Sequence, residues 1–152
     1  MRKHLSELFV TLTVVLSVVG CTMLTSKQKT SLYERLGGQS AIEAVVNDFV
    51  DRVGADTRIT NEKVKARLAA IHIPTLKWHV TNPVCMATGG PCDYKGRDMK
   101  VTHAGLEITN AEFDYVVDDL VKTLDQYKVP EREKNELLAL LAPMRADIVQ
   151  AS

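Results

Sequence analysis

Apolar residues recur at helical spacing along most of the chain, and no stretch alternates as a half-buried strand would. The clearest run is Ile42, Val45, Val46, Phe49, Val50 and Val53, which fall on one face of an amphipathic helix. It follows a Gly37-Gly38 turn and breaks at Gly54, Ala55 and Asp56. Phe113, Val116, Val117, Leu120, Val121 and Leu124 repeat the pattern after Thr109-Asn110-Ala111-Glu112, whose Thr-x-x-Glu spacing is that of a capping box. Ser31-Leu32-Tyr33-Glu34 is a second such box, opening a short helix that Gly37-Gly38 ends. A helix is expected from Asn61 to Ala70, stopping before Pro74, and another from Leu76 to near Gly89-Gly90 with a kink at Pro83. Pro130 opens the last helix, buried through Leu137, Leu138, Leu141, Met144 and Ile148, with a bend at Pro143. The pattern predicts an all-α fold whose helices are too unequal for a simple up-down bundle.

The first twenty residues stand apart from this body. Arg2 and Lys3 precede an apolar run from Leu8 to Val19, and Val18-Val19-Gly20-Cys21 places small residues before a cysteine. The run is about twelve residues, short of the roughly 30 Å needed to span a bilayer, which argues against the alternative of a membrane anchor. Residues 1–20 therefore read as a lipoprotein signal, cleaved before Cys21 and followed by lipidation of that cysteine. A bacterial cell-envelope location follows, and Thr22 after the cysteine points to the outer membrane, facing the periplasm. Residues 21–30, rich in Thr, Ser, Lys and Gln, are expected to form a tether, and residues 31–152 one folded domain.

Of 19 basic and 19 acidic side chains, the leader removes Arg2, Lys3 and Glu7, leaving 17 and 18. So even a balance, without a basic stripe interleaved with aromatic residues, gives no footprint for nucleic acid.

The chemistry concentrates around His103. Met99, Thr102, His103 and Leu106 are three to four residues apart, so a helical backbone would aim the imidazole at the same side as Met99 and Leu106. That geometry suits an axial ligand of haem iron, although a lone histidine on an apolar face is more often a hydrogen-bonded core residue.

Leu32-Tyr33-Glu34-Arg35-Leu36-Gly37-Gly38, Ala41 to Phe49, Thr88-Gly89-Gly90-Pro91, Tyr94-Lys95-Gly96-Arg97-Asp98-Met99, His103-Ala104-Gly105-Leu106 and Leu141 to Val149 together resemble, in order and spacing, the group 1 truncated haemoglobins. The resemblance runs from about Ser31 to Val149 and implies a truncated two-over-two helical globin that binds haem b, and with it diatomic gases (O2, NO, CO), at the iron. It makes His103 the position of the proximal iron ligand, and sets Val50, Leu76, Val80 and Met99 against the haem.

The distal side departs from the family. Many members carry a tyrosine where this chain has Val50 and a glutamine where it has Val80, each donating a hydrogen bond to the bound gas. Losing a charge-assisted bond of this kind costs about 1 to 3 kcal/mol, enough to speed release of dioxygen, so ordinary oxygen carriage is not expected. His79, which precedes His103 by 24 residues, matches a position where some members place a histidine that binds the sixth iron site when no gas is present. The alternative is a surface histidine beside Trp78.

Cys85 and Cys92 flank the Gly89-Gly90-Pro91 turn with six residues between them. An oxidising envelope favours a disulfide, worth about 2 to 3 kcal/mol for so short a loop; two free buried thiols or half a metal site are the alternatives. Covalent c-type haem is not expected, since no Cys-x-x-Cys-His is present. Lys95 and Arg97 could pair with haem propionates or remain solvated.

Two functions follow. One is a gas-binding haem lipoprotein, bis-histidine when ligand-free, with a redox or electron-transfer role and an unidentified reductant. The other is a detoxification enzyme of the nitric oxide dioxygenase type. The residues assign no catalytic group beyond the iron ligands.

Overall fold

The computed structural model describes residues 30–151; the expected leader, the expected lipidation site Cys21 and nearly all of the expected tether lie outside them. Helix α1 (Leu32–Arg35) opens on the expected capping box, in which Ser31 Oγ accepts from Glu34 N–H and the Glu34 carboxylate accepts from Ser31 N–H. Its end is sharp because Gly37 and Gly38 take φ of 96° and 75°, which side chains other than hydrogen rarely adopt. A Cβ on Gly37 would also meet Ala41 Cβ at 2.9 Å.

Helix α2 (Gly38–Ala55) presents the apolar stripe read from the sequence, burying Ile42, Val46 and Val50. These three pack with Phe49 and with Leu76, Val80 and Val84 of α4 (Ile73–Ala87). The same helix lies against α6 (Asn110–Gln126), where Arg52 donates to Thr123 Oγ1 at 3.2 Å and to Gln126 Oε1 at 3.0 Å. A second cluster joins Leu32 of α1 and Leu124 of α6 to Leu137 of α7 (Glu131–Leu141), and Arg35 pins α1 to α7 through Glu133 at 2.9 Å and through Glu136. Helices α2 and α4 thus form one layer contact and α6 and α7 frame the other side, the arrangement of a two-over-two helical fold.

Short helices complete the frame. Helix α3 (Glu62–Ala70) is capped by Asn61, whose Oδ1 accepts from Lys63 and Val64 N–H. Helix α5 (Met99–His103) is capped by Asp98. After α7 the chain takes a 3-10 turn (Ala142–Met144) around Pro143 and ends in α8 (Arg145–Ile148). Among the described residues no helix is long and apolar enough to cross a membrane.

Local sequence signals differ from the structure at the start of α4 and the end of α5, while α4 runs through Pro83 as the sequence predicts. Helix α4 begins at Ile73 rather than Leu76, because Pro74 sits in its first turn, where the missing N–H costs nothing, instead of terminating the helix before it. Pro83 lies buried inside α4, which runs through it to Ala87; its missing N–H leaves the carbonyl of His79 without the usual donor four residues on. Helix α5 stops at His103, since Gly105 at φ 78° and Glu107 at φ 54° cannot continue a right-handed helix. Leu106 returns to the inner side through that turn rather than along a helical stripe.

Candidate haem site

The described helices enclose an apolar cavity of about 990 Å³. One wall is the α2 stripe, with Ile42, Val46, Phe49 and Val50, continued by Leu76, His79 and Val80 of α4. The same lining includes Met99, Thr102, His103 and Leu106, with Val116, Val117 and Leu120 of α6. Every residue expected at the haem, namely Val50, Leu76, His79, Val80, Met99 and His103, lies on this one lining, with the two histidines carried by different elements.

His103 is half-buried and its Nδ1 lies 2.8 Å from the carbonyl oxygen of Met99, one helical turn back. A carbonyl only accepts, so Nδ1 carries the proton in that contact and Nε2 keeps the lone pair that a metal needs. A backbone partner of this kind also orients the ring and raises its basicity as a ligand. Beyond it, the side chain of Gln150 closes the turn after α5: Nε2 donates to His103 O at 3.0 Å, and Oε1 accepts from Gly105 N–H at 3.1 Å and Glu107 N–H at 3.2 Å. Gln150 reaches this position because its N–H and that of Ala151 both donate to Ile108 O, at 2.9 and 3.2 Å.

On α4, His79 Nδ1 lies 3.1 Å from the hydroxyl of Tyr94. Trp78 packs edge-on against the His79 ring, with centroids 5.0 Å apart, and is itself 54% exposed at the rim. Val50 is buried and Val80 half-buried, so the distal lining around His79 is apolar. Leu76 and Met99 are half-buried in the same lining.

The rim carries Arg67, Lys95 and Arg97. Lys95 is exposed and paired with Asp93 at 2.9 Å, which neutralises it in place, while Arg67 and Arg97 bring two further positive charges to the cavity edge. Glu112 is a buried charge in the lining. Burial pushes its carboxyl up, but N–H and O–H donors of Thr109 and N–H donors of Asn61 outweigh that and hold it below the usual glutamate range. This carboxylate ties the loop before α3 to the start of α6.

Cys85 and Cys92 are disulfide-bonded, with Cα atoms 5.8 Å apart. The bond joins the end of α4 to the loop that carries Tyr94, Lys95, Gly96 and Arg97 along the cavity. Gly90 between them is packed so tightly that a Cβ would lie 2.5 Å from the Tyr33 ring and 2.7 Å from Cys85 Sγ.

Neither Tyr94 as the partner of His79 nor Gln150 as the clamp on His103 has a sequence signal beyond its residue type, since both contacts join separate elements. His72, away from the cavity, sits at the N-cap of α4 and bonds Thr75 Oγ1 at 3.0 Å.

Comparison with known proteins agrees with this geometry. The Bacterial-like globin family matches residues 31–150. The chain is 31% identical over 119 residues to the group 1 truncated hemoglobin of Tetrahymena pyriformis, covering 78% of this chain and 94% of that one. It is 34% identical over 118 residues to that of Mycolicibacterium paratuberculosis, covering 78% and 83%. Among solved structures, the Fe(III) form of the Tetrahymena pyriformis protein superposes with a TM-score of 0.71 at 30% identity, over 79% of this chain and 98% of that one. The 2/2 hemoglobin of Synechococcus, in the cyanomet state with covalently attached heme, does so with a TM-score of 0.71 at 28% identity, over 79% and 98%. The cofactor of such a fold is haem b with its iron, and the apolar slot, the Nε2 lone pair of His103 and the basic rim fit it. The chain belongs to the bacterial-like globin family, as a group 1 truncated haemoglobin.

Proposed function

We propose that the protein binds diatomic gases at haem b held by His103, that His79 takes the sixth iron position when no gas is present, and that the role is redox or electron transfer rather than oxygen carriage. Haem b supplies the iron that accepts either a gas or an imidazole and that passes between ferric and ferrous states. The single observation that carries the reading is the 2.8 Å contact between His103 Nδ1 and Met99 O, which leaves Nε2 with a ligand's lone pair on a residue that lines the apolar slot. His79 on a different element of the same lining, together with Val50 and Val80, which offer no polar group, supports the second half. Gas must then displace an imidazole, so apparent affinity falls with the fraction of time the site is open.

The absorption spectrum of ferric protein at neutral pH tests this. Wild type is expected to be low-spin, and His79→Ala to be high-spin with faster carbon monoxide binding. A wild type that is already high-spin sinks the bis-histidine reading. Membership of a gas-binding globin family then favours the second reading, conversion of nitric oxide and dioxygen to nitrate with one electron from an external reductant.

The location proposed is the bacterial envelope, through a lipid on Cys21, supported by the charged, apolar and small-residue segments that precede it. Cys21→Ser should leave uncleaved precursor or a soluble form; unchanged mass and membrane fractionation would rule out this anchor.

A further inference from the structure

His79 and Tyr94 share one hydrogen bond that can run in either direction. The Nδ1 to hydroxyl distance is 3.1 Å, the rings meet edge to face with centroids 5.9 Å apart, and both line the cavity. Trp78 packs beside the pair, its ring centroid 5.0 Å from that of His79 and 6.0 Å from that of Tyr94. A neutral imidazole has its N–H on one nitrogen and its lone pair on the other, whereas a phenol can donate or accept. When His79 Nδ1–H donates to Tyr94, Nε2 holds the lone pair and can bind a metal. When the Tyr94 O–H donates to Nδ1, Nε2 carries the proton and becomes a hydrogen-bond donor. His103 has no such choice, because its partner is a carbonyl.

Building on the reading of His79 as sixth ligand, we propose that Tyr94 is a positioning residue that sets the tautomer of His79, so that one histidine serves as iron ligand without gas and as hydrogen-bond donor to a gas when one is bound. The second state supplies the donor that Val50 and Val80 lack. Two features of the chain suit it. The Cys85–Cys92 bond and the 2.8 Å bond from Gly90 N–H to Cys85 O tie the loop bearing Tyr94 to the helix bearing His79. Pro83 withholds the backbone donor from the carbonyl of His79, so α4 has one helical hydrogen bond fewer at the residue whose ring must change place.

The test is a cycle of haem-loaded wild type, Tyr94→Phe, His79→Ala and the double variant, read by ferric spectrum, carbon monoxide association rate and dioxygen dissociation rate. Tyr94→Phe keeps the ring and its packing against Trp78, and thermal melting checks the fold of each variant. The expected result is a low-spin wild type, with both rates raised about five-fold in Tyr94→Phe, the equivalent of one ordinary hydrogen bond. In the His79→Ala background the same change should alter neither rate. A low-spin wild type whose rates are unmoved by Tyr94→Phe, or moved equally with and without His79, overturns the positioning role and leaves His79 as ligand. Movement of the carbon monoxide rate alone overturns it too, because a residue that sets the tautomer acts on both states. A high-spin wild type indistinguishable from His79→Ala overturns the ligand reading, and the inference with it.

Discussion

The side chain of Gln150 donates to the carbonyl of His103 at 3.0 Å, from a position 47 residues further along the chain. Because the same side chain also accepts from Gly105 and Glu107, Gln150 closes the turn that follows His103, the proposed haem ligand. Helix α5, only Met99–His103, is too short to hold the imidazole by its own backbone, and the clamp replaces the missing helical turn. Gln150→Ala is expected to leave the fold intact and speed haem loss to an acceptor globin about five-fold, the equivalent of about 1 kcal/mol for these exposed bonds. An unchanged rate of haem transfer would remove Gln150 from the proximal assembly.

His103→Ala should abolish stable haem binding. No other histidine lies on α5, and none besides His79 and His103 lines the cavity among the described residues. A normal Soret band in purified His103→Ala protein would contradict the proximal assignment.

The disulfide should matter more to the cavity rim than to the core. Cys85→Ser with Cys92→Ser, or reduction, is expected to lower stability by about 2 to 3 kcal/mol through the freed loop. It should also loosen the loop from Tyr94 to Arg97. Denaturant midpoints with and without reductant measure the first effect, and amide exchange across residues 93–97 the second. Two thiols alkylated without reduction, in protein taken from its own compartment, would exclude the bond.

Glu112 carries a pH signature. Its carboxyl is held below the ordinary range in the folded state, so the unfolded state binds the extra proton first as the solution is acidified. The stabilisation is present above the ordinary glutamate value and is lost as pH falls through the lower folded value. Glu112→Gln should cost about 1 to 2 kcal/mol at neutral pH, and the gap to wild type should narrow below the ordinary glutamate value. A gap that stays constant down to strong acid would show that Glu112 acts by packing alone.

Asp119 has the opposite sign. It is 3% exposed and one of its carboxyl oxygens has no hydrogen-bond partner, and burial, with the nearby Asp56 carboxylate, pushes its carboxyl up despite Arg58. A raised folded value means that the folded state holds the proton longer, so this group destabilises once pH rises through that value. Asp119→Asn is expected to raise the denaturant midpoint at neutral pH and to have less effect in acid. A lower midpoint at neutral pH would show instead that the ion pair with Arg58, at 3.3 Å, outweighs the burial.

Much of the frame was determined by the sequence alone. The stripe from Ile42 to Val53, the stripe from Phe113 to Leu124 and the capping boxes at Ser31 and Thr109 depend on residues within a turn or two of one another, and helical geometry converts such spacing directly into a face or a cap. The apolar character of the distal wall was equally legible, since Val50 and Val80 cannot donate wherever they point. Tertiary structure decided the rest. Whether His79 faces the cavity or solvent depends on how α4 docks against α2, and its Tyr94 partner arrives on a loop whose path no periodicity encodes. The clamp of Gln150 on His103 depends on the chain end returning to Ile108. Local spacing also overstated α5, because it records which residues share a side but not that Gly105 and Glu107 take positive φ and stop the helix. Partners within one helix are fixed by a repeat of 3.6 residues, whereas partners across two elements are fixed only when both have docked.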